Sequence, residues 1–147
     1  MFNVAKSKQD FWTAFGQYMA PVFSDNCSKI NWLNYTTGIK HIYFKMDAGK
    51  DFASISIELR HYDPVLQHQY FERLLNFKNL FEDILQEQWL WQLHITDQHS
   101  NLYSKISKRI NGVNIFDNHD WPAIISFLKP RIISLDKFWN LVKDSFE

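Results

Sequence analysis

The sequence predicts an α+β fold: an antiparallel or mixed sheet of about five strands packed with an N-terminal helix, a long middle helix and C-terminal helices. Three observations carry that prediction. Residues 41–47, 52–60 and 89–96 alternate apolar and polar side chains as strands do, residues 66–84 repeat apolar positions at steps of three and four as an amphipathic helix does, and turn signals separate the two kinds of segment. The expected order is one helix, three strands, a helix, two strands and two helices, in a single domain over residues 1–147.

Ser7 and Asp10 make a capping start, and Phe11, Trp12, Phe15, Tyr18 and Met19 recur at helical spacing, so a first helix is predicted over residues 8–19 and ended by Pro21. Residues 30–35 alternate as a short strand, Thr36, Thr37 and Gly38 turn the chain, and residues 41–47 form the second strand. Ala48, Gly49, Lys50 and Asp51 return it into a third strand over residues 52–60. Pairing Met46 with Ala53 sets Phe44 against Ile55 and Ile42 against Ile57, one wholly apolar face. His41, Tyr43 and Lys45 then face Glu58, Ser56 and Ser54 on the other side. Asp63 is an N-cap followed by Pro64 in the first turn, and Leu66, Tyr70, Leu74, Phe77, Phe81 and Ile84 mark one long helix to about Gln86. Trp89, Trp91, Leu93 and Ile95 share a face of the next strand, and residues 97–101 turn it into a strand over 102–110, closed by Asn111 and Gly112. Asp120, Trp121 and Pro122 open a short helix that Pro130 interrupts. Leu135, Phe138, Trp139, Val142 and Phe146 form the apolar stripe of a final helix.

Composition narrows the function classes. Sixteen Lys and Arg cancel sixteen Asp and Glu, which leaves no bulk positive field to hold nucleic acid without a local patch. The lone Cys27 excludes an internal disulfide and every cysteine-cluster metal site, and an idle or buried thiol is expected there. Residues 1–8 carry no apolar signal core and no stretch approaches the ~18 apolar residues of a membrane span, so a cytoplasmic protein with no membrane contact is expected. Gly16, Gly38, Gly49 and Gly112 stand too far apart for a phosphate loop or dinucleotide fingerprint, and the His-Glu-x-x-His, Cys-x-x-Cys and Gly-x-Ser-x-Gly patterns are absent. No cofactor is expected.

The candidate binding site is the sheet face carrying His41, Tyr43, Lys45, Ser56, Glu58 and Arg60, because opposed strand positions bring an imidazole within reach of a carboxylate beside a phenol and cations. A solvated mixture of such residues is also what the open face of an antiparallel sheet ordinarily shows. His94 and His99 bracket a turn with Asp97 and could hold a metal, though such turns are usually just solvated. Tyr103, Lys105, Lys108 and Arg109 form a basic stretch that reads first as the protected outer side of an edge strand. Trp89 and Trp91 read as core.

The order of helix, three strands, helix and strand is similar to the core of restriction-endonuclease-like nucleases, with Glu58-Leu59-Arg60 standing where their acidic-x-Lys element would. Those enzymes hold magnesium between two carboxylates. In the register above, Asp47 lies about six residues, or ~20 Å, from Glu58 along the strand, too far to share a metal. The segments INWLNYTTGIKHIYFKMD (residues 30–47), NIF (114–116) and WPAIISFLKP (121–130) resemble an uncharacterised bacterial domain family of unknown function that occurs alone or behind restriction-endonuclease-like nuclease domains. That resemblance implies association with DNA-handling or defence proteins and brings no catalytic residues with it. The expected function is a non-catalytic binding module for a protein partner or nucleic acid, gripped weakly through a local patch; the alternative is a metal-dependent nuclease of the restriction-endonuclease-like class, degenerate in its site.

Overall fold

The tight turn at Lys50 and Asp51 decides how the sheet is registered. In the computed structural model, which describes residues 4–147 with side chains from residue 8 onward, Gly49 N–H donates to Phe52 O at 2.9 Å across that turn. A Cβ on Gly49 would lie 2.5 Å from the Phe52 ring, so glycine is what lets the ring close over the turn. Strand β1 (Ile42–Ala48) therefore pairs with β2 (Phe52–Leu59) as Ala48 with Ala53, Met46 with Ile55 and Phe44 with Ile57. This is a shift of two residues from the expected pairing. Because strand side chains alternate with period two, the shift leaves every residue on its face and only changes its neighbours.

The sheet has four strands, all antiparallel, in the order β1-β2-β4-β3, with β3 at Leu90–Thr96 and β4 at Leu102–Asn111. The expected fifth strand at residues 30–35 is a loop. Its alternation has another cause: Asn31 Oδ1 accepts from the Leu33 and Asn34 N–H groups in a local turn, while Trp32 Nε1 reaches back to Val22 O at 2.9 Å.

Helix α1 (Val4–Met19) buries Phe11, Phe15 and Met19 completely. Ser7 falls inside this helix and does not cap it, and its side chain lies outside the described residues, as do residues 1–3 of the opening segment. The expected long middle helix is two helices, α2 (Pro64–Asn76) and α3 (Lys78–Leu85), broken at Phe77. Asp63 caps α2 as expected, its carboxylate accepting from Val65 N–H at 2.9 Å. The break redirects one apolar stripe onto two surfaces: α2 packs on β2, β3 and β4, and α3 packs on the last helix. The spacing of apolar residues continues across Phe77, which is why the two read as one in sequence.

Pro130 does not interrupt the last helix. Helix α4 runs unbroken over Trp121–Val142 and buries Ile124, Phe127 and Leu128 before the proline and Ile132, Leu135, Phe138 and Trp139 after it. An interior proline costs about 3 kcal/mol. Each large apolar side chain buried beyond it returns ~1.5–3 kcal/mol, so continuing the helix wins. Helices cover the apolar side of the sheet, where Ile55, Ile57, Leu59 and Ile106 are fully buried, and leave the opposite face of the sheet uncovered.

Candidate functional site

The uncovered face is a grid of side chains set by the strand pairing. Tyr43, Glu58 and Lys105 form one row across β1, β2 and β4; Lys45, Ser56 and Ser107 form the next; Asp47, Ser54 and Arg109 form the third. Three serines thus lie where an ordinary sheet face carries longer side chains. They floor a recess of about 560 Å3 whose walls include Lys45, Arg60, Asp97, Tyr103, Lys105 and Arg109.

Arg60 is the hub of this face. Its Nε lies 2.9 Å from Glu58 Oε1 and its Nη1 lies 2.7 Å from Asp97 Oδ2, while the guanidinium sits 3.9 Å from the centre of the Tyr103 ring. Partial burial works against its charge, but the hydrogen bonds with Asp97 and Glu58 outweigh that and raise its pKa. The Arg60 guanidinium, with the backbone N–H of Asn101, holds the Asp97 carboxyl well below the usual carboxylate range.

A β-bulge brings Asp97 to this side. His94 adopts φ +53°, and the β3–β4 pairing slips by one residue between Gln92 and Ile95. Ile95 and Asp97 consequently face the same side as Tyr103, so Ile95 does not share a face with Trp91 as the alternation predicts. The bulge is held from behind. His94 N–H donates to Ser104 Oγ at 3.0 Å, Ser104 donates to Gln67 Oε1 at 2.6 Å, and Gln67 Nε2 donates to His61 O at 3.1 Å. Ser104 and Gln67 are both fully buried, and their polar groups are matched to one another.

Of the six residues expected to bind, Tyr43, Lys45, Ser56, Glu58 and Arg60 share the open face, but in different pairs: Tyr43 lies opposite Glu58 and Lys45 opposite Ser56. His41 leaves it. At φ +71° its ring turns to the sheet edge, 5.4 Å from His61, and only its backbone O pairs with Arg60 N–H, at 2.8 Å. Asp47 stands four residues along β1 from the partner of Glu58, ~13 Å rather than ~20 Å, which is still beyond a shared metal. The carboxylate that does come near Glu58 is Asp97, and the Arg60 guanidinium occupies the space between them.

The basic stretch also changes place, because β4 is an inner strand. Tyr103, Lys105 and Arg109 join the recess, while Lys108 points to the other side and donates to Gln88 O at 3.2 Å. Sequence reasoning gave these residues to an edge; their odd-numbered alternation with Ser107 was the signal for one face. Asp97 carried no such signal, since the bulge depends on Gln67 in another element. His94 and Asp97 diverge: His94 Nε2 lies 3.1 Å from Pro64 O, while Asp97 faces Arg60 and accepts from His99 N–H at 2.8 Å. Among the described residues no cluster of three or more His, Cys, Asp or Glu is placed to hold a metal. Cys27 is exposed, so a buried thiol is excluded.

A family model described as a domain of unknown function (DUF4268) matches residues 7–143. The chain belongs to this family. No curated protein and no solved structure matches it. Within this DUF4268 domain no described helix is long and apolar enough to cross a membrane.

A second polar cluster joins the first loop to α4. Asp136, 1% exposed, accepts from Ser24 Oγ at 2.9 Å, Asp25 N–H at 2.7 Å, Tyr35 OH and Asn140 Nδ2. Burial first, then the hydrogen bond to Asp136, raises the Tyr35 pKa, so its phenol stays a donor. Four donors meet one carboxylate, and among the described residues no cation pairs with it. The cluster satisfies its own charge and so works as an anchor for residues 24–35.

Proposed function

We propose that the chain is a cytoplasmic binding module with no chemistry of its own, working as one folded unit beside DNA-handling or defence proteins, and that its open sheet face holds a single strand of nucleic acid. One observation carries this reading. Glu58 and Asp97 are engaged by Arg60, and Asp47 by Lys8 at 3.6 Å, whereas Lys45, Lys105 and Arg109 form no ion pair among the described residues. Three unpaired cations therefore surround a floor of serine hydroxyls in an overall neutral chain. Phosphate oxygens accept from both kinds of donor, and Tyr43, exposed on the same sheet face with Lys45 Nζ 5.1 Å from its ring centre, offers a ring for a base.

Arg60 and Glu58 serve this site by shaping it, and His41 lies outside it. The test is fluorescence anisotropy with labelled single-stranded DNA, single-stranded RNA, duplex DNA and a poly-glutamate peptide. Weak binding to the single strands, lost in the K45A/K105A/R109A variant, is the expected result. Equal binding of that variant, or preference for the acidic peptide, would overturn it. The nuclease alternative is addressed by incubating the same strands with magnesium or manganese. No cleavage is expected, and cleavage abolished by Glu58→Gln would sink the non-catalytic reading.

A further inference from the structure

Ser56 lies in the middle row of the recess floor and is only 6% exposed, yet its hydroxyl has no hydrogen-bond partner among the described residues. Buried polar groups in folded proteins are matched almost without exception, because an unmatched one loses its hydration and gains nothing. The strand ladder does not need this hydroxyl. It is not sealed off either, since it lines the recess and keeps an opening to solvent. The hydroxyls of Ser54 and Ser107, its neighbours on the floor, likewise have no partner among the described residues.

Strand pairing sets Lys45 and Ser107 on either side of Ser56, each ~5 Å away between Cα atoms, and sets Lys105 one row, ~7 Å, beyond Ser107 on the same strand. The four-carbon stems of both lysines reach a group resting on Ser56. Their ammonium groups lie near rings, Lys45 Nζ 5.1 Å from the centre of Tyr43 and Lys105 Nζ 5.9 Å from that of Tyr103. The lining also includes Glu58, Asp97 and Asp47. Arg60 engages the first two, and Asp47 stands one row away, paired with Lys8. The middle row itself holds a cation and two hydroxyls and no carboxylate. One end of the recess is walled: the Arg60–Asp97 pair lies across it beside Tyr103, and Gln98 and His99 of the β3–β4 turn continue the wall. At the other end the lining stops at Asp47, Ser54 and Arg109.

We propose that the recess recognises the phosphorylated end of a single strand, the terminal phosphate accepting from the Ser56 and Ser107 hydroxyls and pairing with Lys45 and Lys105 while the backbone leaves over Ser54 toward Arg109. This inference rests on the reading of the face as a single-strand site and names the part of the strand it takes. A terminal phosphate carries close to two negative charges at neutral pH and offers three free oxygens. An internal phosphate carries a single charge on two free oxygens. Two lysines and two hydroxyls around one point match the former. An internal phosphate also has chain on both sides, and the wall at Asp97 leaves a way out on one side only.

The test is competition, followed by fluorescence anisotropy, for the full chain bound to a short oligothymidylate labelled at an internal position. The competitors are the same oligothymidylate with a 5′-phosphate, with a 3′-phosphate and with hydroxyls at both ends, and a circular single strand. A phosphorylated end, 5′ or 3′, should compete about tenfold better than the hydroxyl-ended strand, the effect of an added charge-assisted hydrogen bond. The circle should compete no better than the hydroxyl-ended strand. Ser56→Ala should cut the tenfold ratio to about twofold or less without lowering thermal stability, because the hydroxyl has no partner to lose. Ser107→Ala should lower it in the same direction. Equal competition by all four strands, or a ratio that survives both substitutions together, would overturn end recognition and leave the single-strand site standing. A labelled strand that does not bind at all would remove the single-strand reading, and end recognition with it.

Discussion

Asp97 Oδ2 lies 2.7 Å from Arg60 Nη1 only because the bulge at His94 carries Asp97 to the open side of the sheet; in uninterrupted register with β4 it would point to the helical side. The outward-facing ion pair and the buried Gln67–Ser104 hydrogen bonds are thus two ends of one device.

Removing Ser104 should therefore disturb a residue on the opposite face. Ser104→Ala is expected to cost about 1–3 kcal/mol, since Gln67 Oε1 and His94 N–H each lose a buried partner. It should also loosen the Asp97 side chain. Urea denaturation measures the first effect, and an Asp97 carboxyl pKa returning toward its ordinary value, read by NMR, measures the second.

Arg60→Ala should lower the melting temperature more than Lys45→Ala does, because Arg60 leaves Glu58 and Asp97 facing each other without their cation. The sign with pH follows from Asp97. Its folded pKa lies below the unfolded value of ~3.9, so the stability it contributes is complete well above that value and is lost as pH falls through and below it. Thermal melts of wild type and R60A should converge in strong acid and diverge at neutral pH.

His61 has the opposite chemistry and another window. Its folded pKa of about 4 lies below the ordinary histidine value of 6.5, so the unfolded chain binds more protons between the two. Stability is full above 6.5 and declines as pH falls toward 4, by at most about 3 kcal/mol. His61→Phe should flatten denaturation midpoints across that range, and an unchanged slope would place the titration elsewhere.

For the sheet recess, the logarithm of the single-strand binding constant should fall against that of salt with a slope of about −2, from three phosphates at ~0.7 each. Replacing Lys105 alone should take away about one third of that slope and leave thermal melting unchanged. A salt-independent constant would mean that phosphates are not the contact.

Much of this architecture could be read from the chain. The polar face of the hairpin follows from strict alternation in residues 42–47 and 53–59, and the cap at Asp63 from a pattern confined to three residues. Register did not follow, because a slip of two preserves both faces and only the contact between Gly49 and Phe52 distinguishes the pairings. Local signals also failed where distant packing overrode them. Pro130 is a helix breaker judged by its neighbours and an interior residue once α4 is buried at both ends. Arg60 was legible as part of the face, but its carboxylate Asp97 was not, since that side chain is aimed by Gln67 from a helix thirty residues earlier. His41 was assigned by alternation and moved off the face by a positive φ that no side-chain pattern announces.

The Asp136 anchor joins residues 112 positions apart in sequence. Loop closure on that scale is among the slowest steps a small domain takes, because chain entropy must be surrendered before the contact stabilises anything. During vectorial synthesis, the segment around Ser24 leaves the ribosome early and stays without its partner until α4 has been made. A segment made well before α4 is then the last to lock. Pulsed hydrogen exchange during refolding should find the Asp25 amide, which donates to Asp136 at 2.7 Å, protected after the amides of the β1–β2 hairpin; simultaneous protection would mean that the loop orders without its anchor.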